Sequence, residues 1–435
     1  MLKQFKLKGE KMSLNNELFE FIYNSPCAYY TVQSVKVRLL SEGYTELFEG
    51  EKWELSDGGK YFVIRNGTSL IAFRNNASAN SFMICASHSD SPSFRLKLSV
   101  EKGGKYLVCD TEKYGGMIYY SWLDKPLSVA GRVVVKGERG VETRLVNIER
   151  DLFVIPSVAI HLNRNINSGY EFNPARDLLP LASGAGERGE LIKLVAESAG
   201  VRSEDILSHD LFLYVRERGR VFGVKDEFII SPRLDDLACV FASLKSFLQA
   251  RATENIPTFA LFDNEEVGSE TKQGAASTFL CDVMSRIKGV DYDIALQNSF
   301  MVSADNAHAL HPNRPDLSDS ENAPILNGGL VVKFNANQRY ATDGISDAVF
   351  YVICNRANAK TQRYYNRADL LGGSTLGSIS DTKVSVMTVD IGLPQLAMHS
   401  AVESAGASDL SEMVKALTEF YGSYLEKKGE KLEIL

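Results

Sequence analysis

The spacing of apolar and polar residues divides the chain into three stretches. Over residues 14–92, helical periodicity precedes three short apolar runs that predict strands, YFVIRNG, SLIAFRN and SFMICAS. From Phe228 onward, strand-like runs such as TFALFD and SFMVSADN alternate with helical stretches, among them LACVFASLKSFLQA and a stretch around 275–287. Strands that alternate with helices are typical of an α/β fold.

The middle stretch, residues 93–227, has a different texture. Glycine and charged turns separate short β-rich runs, namely FRLKLSV, KYLVCD, RVVVKG, DLFVIPS and DLFLYV, and one helix is predicted near 186–200. At 435 residues the chain also exceeds what one core usually supports. The simplest arrangement is a discontinuous α/β domain, residues 1–92 and 228–435, interrupted by an inserted β-rich domain at 93–227.

Composition narrows the classes of function. The net charge of -7 and the lack of a dense run of Lys and Arg argue against a nucleic-acid partner, whose phosphates require a basic surface. The six cysteines form no CxxC pair and mostly lie in apolar runs, as reduced core residues do. We see neither the apolar stretch of a secretory signal nor a segment long enough to span a membrane. We therefore expect a cytoplasmic enzyme.

A second methionine, Met12, is a candidate start of the native protein. Ser13 and Asn15, directly after it, offer caps for a helix that carries Leu18 and Phe19. Intact-mass analysis of the native protein that finds residues 1–11 present would refute this start.

Two adjacent carboxylates, Glu265 and Glu266, directly follow an apolar strand in the segment LFDNEEVGS. Neighbouring residues of a strand point to opposite faces, so the two side chains are expected to have different tasks. One can bind a metal ion while the other faces a substrate and transfers protons. A solvated turn is the alternative, because paired acids are common on loops.

Histidine and aspartate residues at other element ends support a metal site. His88 ends a strand in ASHSDSP, with Asp90 two residues on, and such a carboxylate can fix the tautomer of a metal-binding imidazole. Asp235 is expected to open a helix, Asp305 follows a strand, and His399 is expected near the start of a helix. Each alone also fits a structural role, as a hydrogen-bonded histidine, a helix cap or an Asx turn. Together they are typical ligands of zinc, manganese or cobalt.

Ordered motifs run through nearly the whole chain, namely SPCAYYTVQSVKVRLLSEGYTEL, SHSDSPSFRLK, YGGMIYYSWLDKPLSVAGRV, IPSVAIHLNRNIN, SPRLDDL, FDNEEVGS, SADNAHALHPN, KFNANQRYATD and LPQLAMHSAVES. In this order they resemble the M18 family of metallo-aminopeptidases, which includes aspartyl aminopeptidase and the yeast vacuolar aminopeptidase. The resemblance implies a three-layer, mixed-sheet catalytic domain with an inserted dimerisation domain. It also implies that dimers assemble into a tetrahedral dodecamer with enclosed active sites.

Carried over residue by residue, the resemblance implies two divalent metal ions per subunit, zinc in the first place and manganese or cobalt as alternatives. Asp235 would bridge the two ions. Glu266 and His399 would complete one site, and His88 and Asp305 would complete the other.

The resemblance also assigns roles around these ligands. Glu265 becomes the general base and acid, and Asp90 becomes the hydrogen-bonding partner of His88. His161, in AIHLNRN, matches a family histidine that reaches the active site of the neighbouring subunit, so an isolated subunit is expected to be inactive. Asp236 is a departure, because relatives often carry Asn there, and its extra negative charge is expected to alter metal affinity.

The substrates implied are peptides with free N-termini. Lys333 and Tyr340 occupy positions where family members with acidic specificity hold the first side chain, and a buried ammonium favours Asp or Glu. Leucine-like residues are the alternative preference within the family, and a lysine in a strand is often merely solvated. A related metal-dependent deacylase and a catalytically idle shell-forming protein are further alternatives. His209, His308 and His311 are interpreted as structural or surface residues, although His308 and His311 lie close enough to Asp305 in the sequence to shape the site.

Overall fold

The computed structural model describes residues 12–102, 104–184, 189–251, 254–429 and 431–435. The candidate start at Met12 concerns residues 1–11, which lie outside the described residues. Ser13 does cap the first helix, because its hydroxyl accepts a hydrogen bond from the backbone N–H of Asn16 at 3.3 Å.

The amino-terminal stretch contributes two helices and four strands. They are α1 (Leu14–Tyr23), α2 (Ala28–Ser41), β1 (Thr45–Leu47), β2 (Lys60–Arg65), β3 (Ser69–Arg74) and β4 (Phe82–His88). The three strands predicted from the apolar runs are β2, β3 and β4.

Six strands that follow form a separate antiparallel sheet. The elements are β5 (Ser93–Lys102), β6 (Leu107–Tyr114), β7 (Leu127–Lys136), β8 (Val141–Asn147), α3 (Pro174–Asp177), β9 (Leu181–Ser183), α4 (Glu190–Ala199) and β10 (Ile206–Val215). The strand order is β8-β7-β10-β5-β6-β9. The predicted β-rich run DLFVIPS forms only isolated bridges, for example Phe153 with Leu127. The domain boundaries and the dimerisation role stay predictions.

The remainder of the chain alternates strands and helices. Its elements are β11 (Arg220–Phe222), β12 (Phe228–Ser231), α5 (Leu234–Gln249), β13 (Ile256–Phe262), α6 (Phe279–Lys288), α7 (Tyr292–Gln297), β14 (Phe300–Ala304), β15 (Ala307–His308), β16 (Leu330–Phe334), α8 (Gly344–Arg356), β17 (Thr361–Tyr365), α9 (Leu376–Val384), β18 (Met387–Gly392), β19 (Pro394–Leu396), β20 (Glu403–Gly406), α10 (Asp409–Tyr421), β21 (Leu425–Lys428) and β22 (Lys431–Ile434). None of the helices in the described residues is long and apolar enough to cross a membrane.

A nine-stranded mixed sheet, in the order β1-β2-β3-β13-β4-β14-β18-β16-β17, positions the candidate site. Its central strands β13, β4, β14 and β18 run parallel to one another, so their carboxyl ends meet at one edge. Phe262 at the end of β13 is paired with His88 at the end of β4. Asp305 directly follows β14. A second sheet, with five strands in the order β11-β12-β20-β19-β15, is formed by the part of the chain that begins at β11.

Helices cover both faces of the nine-stranded sheet. Along β4, Met83 and Cys85 pack into a core that includes residues of α5 and α10. The alternate residues Phe82, Ile84 and Ala86 pack into a second core with residues of α6 and α9. Because every β4 side chain is buried, its apolar residues run continuously from Phe82 to Ala86 rather than alternating with polar ones. The predicted mixed α/β fold is therefore confirmed.

Candidate active site

His88, the last residue of β4, lies at the edge where the parallel strands end. Its imidazole is buried, and Nδ1 lies 3.1 Å from the backbone carbonyl of Asp90 and 3.4 Å from Asp90 Oδ1. These acceptors favour the proton on Nδ1, so the lone pair of Nε2 is free. Nε2 lies 3.4 Å from Asp235 Oδ1 and 3.9 Å from Asp305 Oδ1. The fold thus brings these four residues together.

The carboxylate of Asp235 lies between two imidazoles. Its Oδ1 faces His88, and its Oδ2 lies 3.5 Å from Nε2 of His399. The same Nε2 is 3.2 Å from Glu266 Oε2, while Nδ1 of His399 lies 3.1 Å from the backbone carbonyl of Gly116. The Asp235 carboxylate therefore lies between two groups of donor atoms, one around His88 and one around His399.

His399 does not lie near the start of a helix, and that sequence-based prediction is wrong. It occupies the turn between β19 and β20 with a left-handed backbone, φ 65°, and Ala397 is also left-handed at φ 57°. Glu403 in β20 accepts hydrogen bonds from the backbone N–H of His399 at 2.8 Å and of Asp235 at 3.0 Å. A buried carboxylate therefore ties together the backbones that carry these two side chains. Sequence reasoning missed Glu403, because its partners are backbone amides.

The donor atoms suit divalent metal ions. Imidazole and carboxylate donors form three overlapping sets, and within each set the donor atoms lie within 4.8 Å of one another. The sets are His88, Asp235, Asp236 and Asp305; Asp235, Glu266 and His399; and His88, Glu265 and Glu266. Two ligands of a tetrahedral ion lie about 3.4 Å apart, close to the separations of 3.2 to 3.9 Å given above. Among the described residues, Asp235 Oδ1 and Glu266 Oε1 are buried without a hydrogen-bond partner, so each can accept a cation.

Asp236 is fully buried beneath this cluster. Its Oδ2 accepts a hydrogen bond from the backbone N–H of His88 at 3.1 Å. Burial, reinforced by the charge of Asp305, raises the pKa of Asp236 well above its usual value. A raised pKa favours the protonated, neutral form of this carboxyl. Its effect on metal affinity stays a prediction.

Glu265 lies on a single 3-10 turn, Glu265–Val267, rather than at the end of a strand. Its backbone N–H donates to Asp90 Oδ1 at 3.2 Å, and the residue lines a cavity of about 290 Å³ together with Asp235 and His399. Burial raises the pKa of the Glu265 carboxyl to about 8. A carboxyl with this pKa can both accept and release a proton near neutral pH.

The same cavity holds both predicted substrate-binding residues. The Lys333 ammonium is buried, donates to the backbone carbonyls of Asp305 at 2.6 Å and Asn306 at 3.3 Å, and lies 5.2 Å from the ring centre of Tyr340. Burial disfavours its charge, but Asp305 outweighs this effect and raises the pKa of Lys333, so the ammonium stays charged. His308, interpreted from sequence as structural or surface, also lines the cavity.

His161 does not line the cavity described above. It is exposed on a turn in which the backbone N–H of Leu162 donates to the carbonyl of Ala159 at 2.8 Å. The neighbouring apolar side chains of Ile160 and Leu162 are 46% and 83% exposed.

Proteins of known family are similar to this chain over most of its length. The chain matches the family described as Aminopeptidase I zinc metalloprotease (M18) over residues 21–421. A Clostridium acetobutylicum protein named probable M18 family aminopeptidase 2 is 42% identical over 432 residues, which covers 95% of this chain and 100% of the relative. A Ricinus communis protein named probable aspartyl aminopeptidase is 35% identical over 481 residues, which covers 96% and 97%.

Solved structures share the fold. A chain in the structure of the Ape4 and Nbr1 complex has a TM-score of 0.91 and 34% identity, over 94% of this chain and 85% of that chain. The S. cerevisiae mApe1 dodecamer gives a TM-score of 0.83 and 28% identity, over 94% and 96%. With the family match over most of its length, this chain belongs to the M18 family of zinc metallopeptidases and is an aminopeptidase.

Proposed function

We propose that this aminopeptidase uses two divalent metal ions that share the carboxylate of Asp235. The observation that carries the proposal is the position of this carboxylate, 3.4 Å from Nε2 of His88 and 3.5 Å from Nε2 of His399. Asp305 completes the site at His88, and Glu266 completes the site at His399. We propose zinc because the nitrogen and oxygen donors suit it and the family is described as a zinc metalloprotease; manganese and cobalt suit the same donors.

In this mechanism Glu265 transfers the proton. Bound divalent ions supply Lewis-acid activation of water and of the scissile carbonyl. Glu265 accepts the proton of the attacking water and donates it to the leaving amine as the C–N bond breaks. The hydrogen bond from its backbone N–H to Asp90 holds it beside the ligands.

The shape and charge of the site support removal of a single N-terminal residue. The cavity of about 290 Å³ extends from the metal-binding residues to Lys333 and Tyr340, so a first residue bound at the metal-binding residues would place its side chain beside Lys333. A free α-amino group is cationic and can pair with Glu266 Oε1, which has no hydrogen-bond partner among the described residues. An acylated nitrogen has no such charge. Peptides with free N-termini are therefore the proposed substrates, and N-acyl amino acids are not.

We further propose a preference for Asp or Glu as the first residue. Beyond its two carbonyl acceptors, Lys333 retains one ammonium hydrogen for a substrate carboxylate. The similarity to the Ricinus communis protein named probable aspartyl aminopeptidase supports the same preference. A neutral first residue is the second candidate, because Asp305 Oδ2 lies 3.7 Å from the Lys333 ammonium and already balances part of its charge.

The assembled state is part of the proposal. Residues 93–227 would form a dimer contact, dimers would build a tetrahedral dodecamer, and His161 would enter the neighbouring active site. The exposure of His161, which does not line the cavity of its own chain, and the likeness to the mApe1 dodecamer support this arrangement. Mixing His161→Ala subunits with Glu265→Gln subunits tests it, since a mixed assembly holds sites with both residues intact. Recovered activity is expected, and no recovery after verified subunit exchange would contradict a role across the interface.

A substrate panel tests the proposed activity. We expect the zinc-loaded protein to release Asp and Glu from amino-acid anilides, more slowly to release Leu, and to leave N-acetylated analogues intact. A chelator should abolish release and added zinc should restore it. Cleavage of N-acyl amino acids would favour the deacylase, and the absence of any release from a metal-bound assembly would favour the idle shell.

A further inference from the structure

The six-stranded sheet of the inserted stretch places one side chain beside the catalytic turn. Tyr114 is the last residue of β6, and its hydroxyl lies 2.7 Å from Asp90 Oδ2 and 2.8 Å from Asn264 Nδ2. Its ring packs edge-on against Phe212 of β10, with centroids 5.4 Å apart. The ring is therefore anchored in the inserted sheet, while the hydroxyl reaches the loops that follow β4 and β13.

Asp90 connects this hydroxyl to the catalytic turn. Its Oδ1 accepts the backbone N–H of Glu265 at 3.2 Å, and its Oδ2 accepts the backbone N–H of Glu266 at 3.2 Å. The same carboxylate lies 3.4 Å from Nδ1 of His88 and is 4% exposed. One buried carboxylate thus fixes the turn that carries the proposed general base relative to a proposed metal ligand.

Asn264 determines the direction of the tyrosine hydrogen bond. The Asn264 side-chain oxygen already accepts from the Thr271 hydroxyl at 2.8 Å and from Gln273 Nε2 at 2.9 Å. Its amide nitrogen must therefore face Tyr114, and it can only donate. The tyrosine oxygen accepts that bond, so its own proton is directed to Asp90. The contact between Tyr114 and Asp90 is a hydrogen bond to a charged acceptor, which is the stronger kind.

We propose that Tyr114 is a positioning residue for catalysis, which holds Glu265 in place through Asp90. The inserted stretch then contributes to the active site of its own chain, in addition to any role in assembly. This inference rests on the proposed role of Glu265 as general base. A purely structural role for Tyr114, as ring packing against Phe212 within its own sheet, makes a different prediction, because packing depends on the ring and not on the hydroxyl.

The substitution Tyr114→Phe separates these two roles, since it removes the hydroxyl and keeps the ring. We expect kcat to fall roughly 10- to 100-fold, as for other residues that orient catalytic groups, with little change in KM or in the thermal midpoint. Tyr214→Phe is the matched control, because the Tyr214 hydroxyl lies in the same sheet and contacts Asn147 at 2.8 Å, away from the catalytic turn. Equal kcat values for the two variants would overturn the inference.

A double substitution tests the route through Asp90. In an Asp90→Asn background, Tyr114→Phe is expected to cause less than about a threefold further fall in kcat, because the two changes break one chain of contacts. Full additivity of the two effects would overturn the route. Wild type and Glu265→Gln, assayed alongside, keep the proposals distinguishable. If Glu265→Gln is inactive but Tyr114→Phe matches wild type, only the role of Tyr114 fails, whereas normal turnover by Glu265→Gln removes the general base itself.

Discussion

Replacing Lys333 with methionine removes the buried ammonium and keeps an apolar stem of similar length. An Asp or Glu side chain in the proposed pocket then loses its cationic partner. A second effect reaches every substrate equally, because the backbone carbonyls of Asp305 and Asn306 lose donors at 2.6 and 3.3 Å. The ratio of kcat/KM for Asp and Leu substrates cancels the shared effect and isolates recognition of the carboxylate.

The size of the expected change follows from the contact that is lost. A hydrogen bond to a charged group contributes about 1.5 to 3 kcal/mol, and about 1.4 kcal/mol corresponds to a factor of ten in rate. The Asp-to-Leu ratio should therefore fall roughly 10- to 150-fold in Lys333→Met. Lys360→Met is a matched control. Lys360 is exposed, directly precedes β17, which is the strand next to that of Lys333, and does not line the cavity.

The assay measures kcat/KM for Asp, Glu and Leu anilides at saturating zinc, for wild type and both variants. We expect Lys360→Met to keep the wild-type ratio. If Lys333→Met loses activity equally on all three substrates, then Lys333 supports Asp305 and does not recognise the side-chain carboxylate of the substrate. That result would refute the acidic pocket while leaving the metal site in place.

Substitutions at three further positions test other parts of the account. Glu265→Gln should retain the bound metal and lose most activity, and normal turnover would contradict its role as the base. Glu403→Ala should weaken zinc binding roughly 10- to 100-fold, because the backbone N–H groups of Asp235 and His399 lose their acceptor. Glu403→Gln keeps one acceptor oxygen and should lose less affinity. If Glu403→Ala and wild type have equal zinc affinity in competition with a chelator, this prediction is contradicted. Burial lowers the pKa of His209 in the folded chain. Below about pH 6.5 the unfolded chain therefore takes up a proton more readily than the folded chain does. As the pH is lowered, the free energy of unfolding decreases by up to about 1.4 kcal/mol per pH unit. His209→Leu should reduce that loss in denaturant titrations between pH 7 and 5, and an unchanged pH dependence would contradict the assignment.

Much of the site could be predicted from residue type at the ends of apolar runs. His88 ends β4, Asp305 follows β14, and Glu266 follows β13. Because these strands pair in parallel, all three residues lie at one edge of the sheet. The period of the apolar runs indicates such strands, and their full burial explains why they lack polar alternation.

Tertiary contacts determine the parts that sequence reasoning missed. The apolar run before His399 resembles the start of a helix, but left-handed residues and the backbone contact with Glu403 form a turn there instead. Glu403 and Tyr114 act through backbone amides and a remote carboxylate, and no local pattern encodes such partners. His308, whose closeness to Asp305 in sequence suggested a place near the site, lines the cavity from a short strand that pairs with β19.

The number of metal ions per chain, measured together with activity, tests the central claim most directly. Protein stripped with a chelator is titrated with zinc, and bound metal is counted by mass spectrometry at each step. The shared position of Asp235 predicts two ions per chain at full activity, and weaker binding of both ions in Asp235→Ala. Full activity with one ion per chain, or two ions bound with unchanged affinity in Asp235→Ala, would contradict the bridging carboxylate.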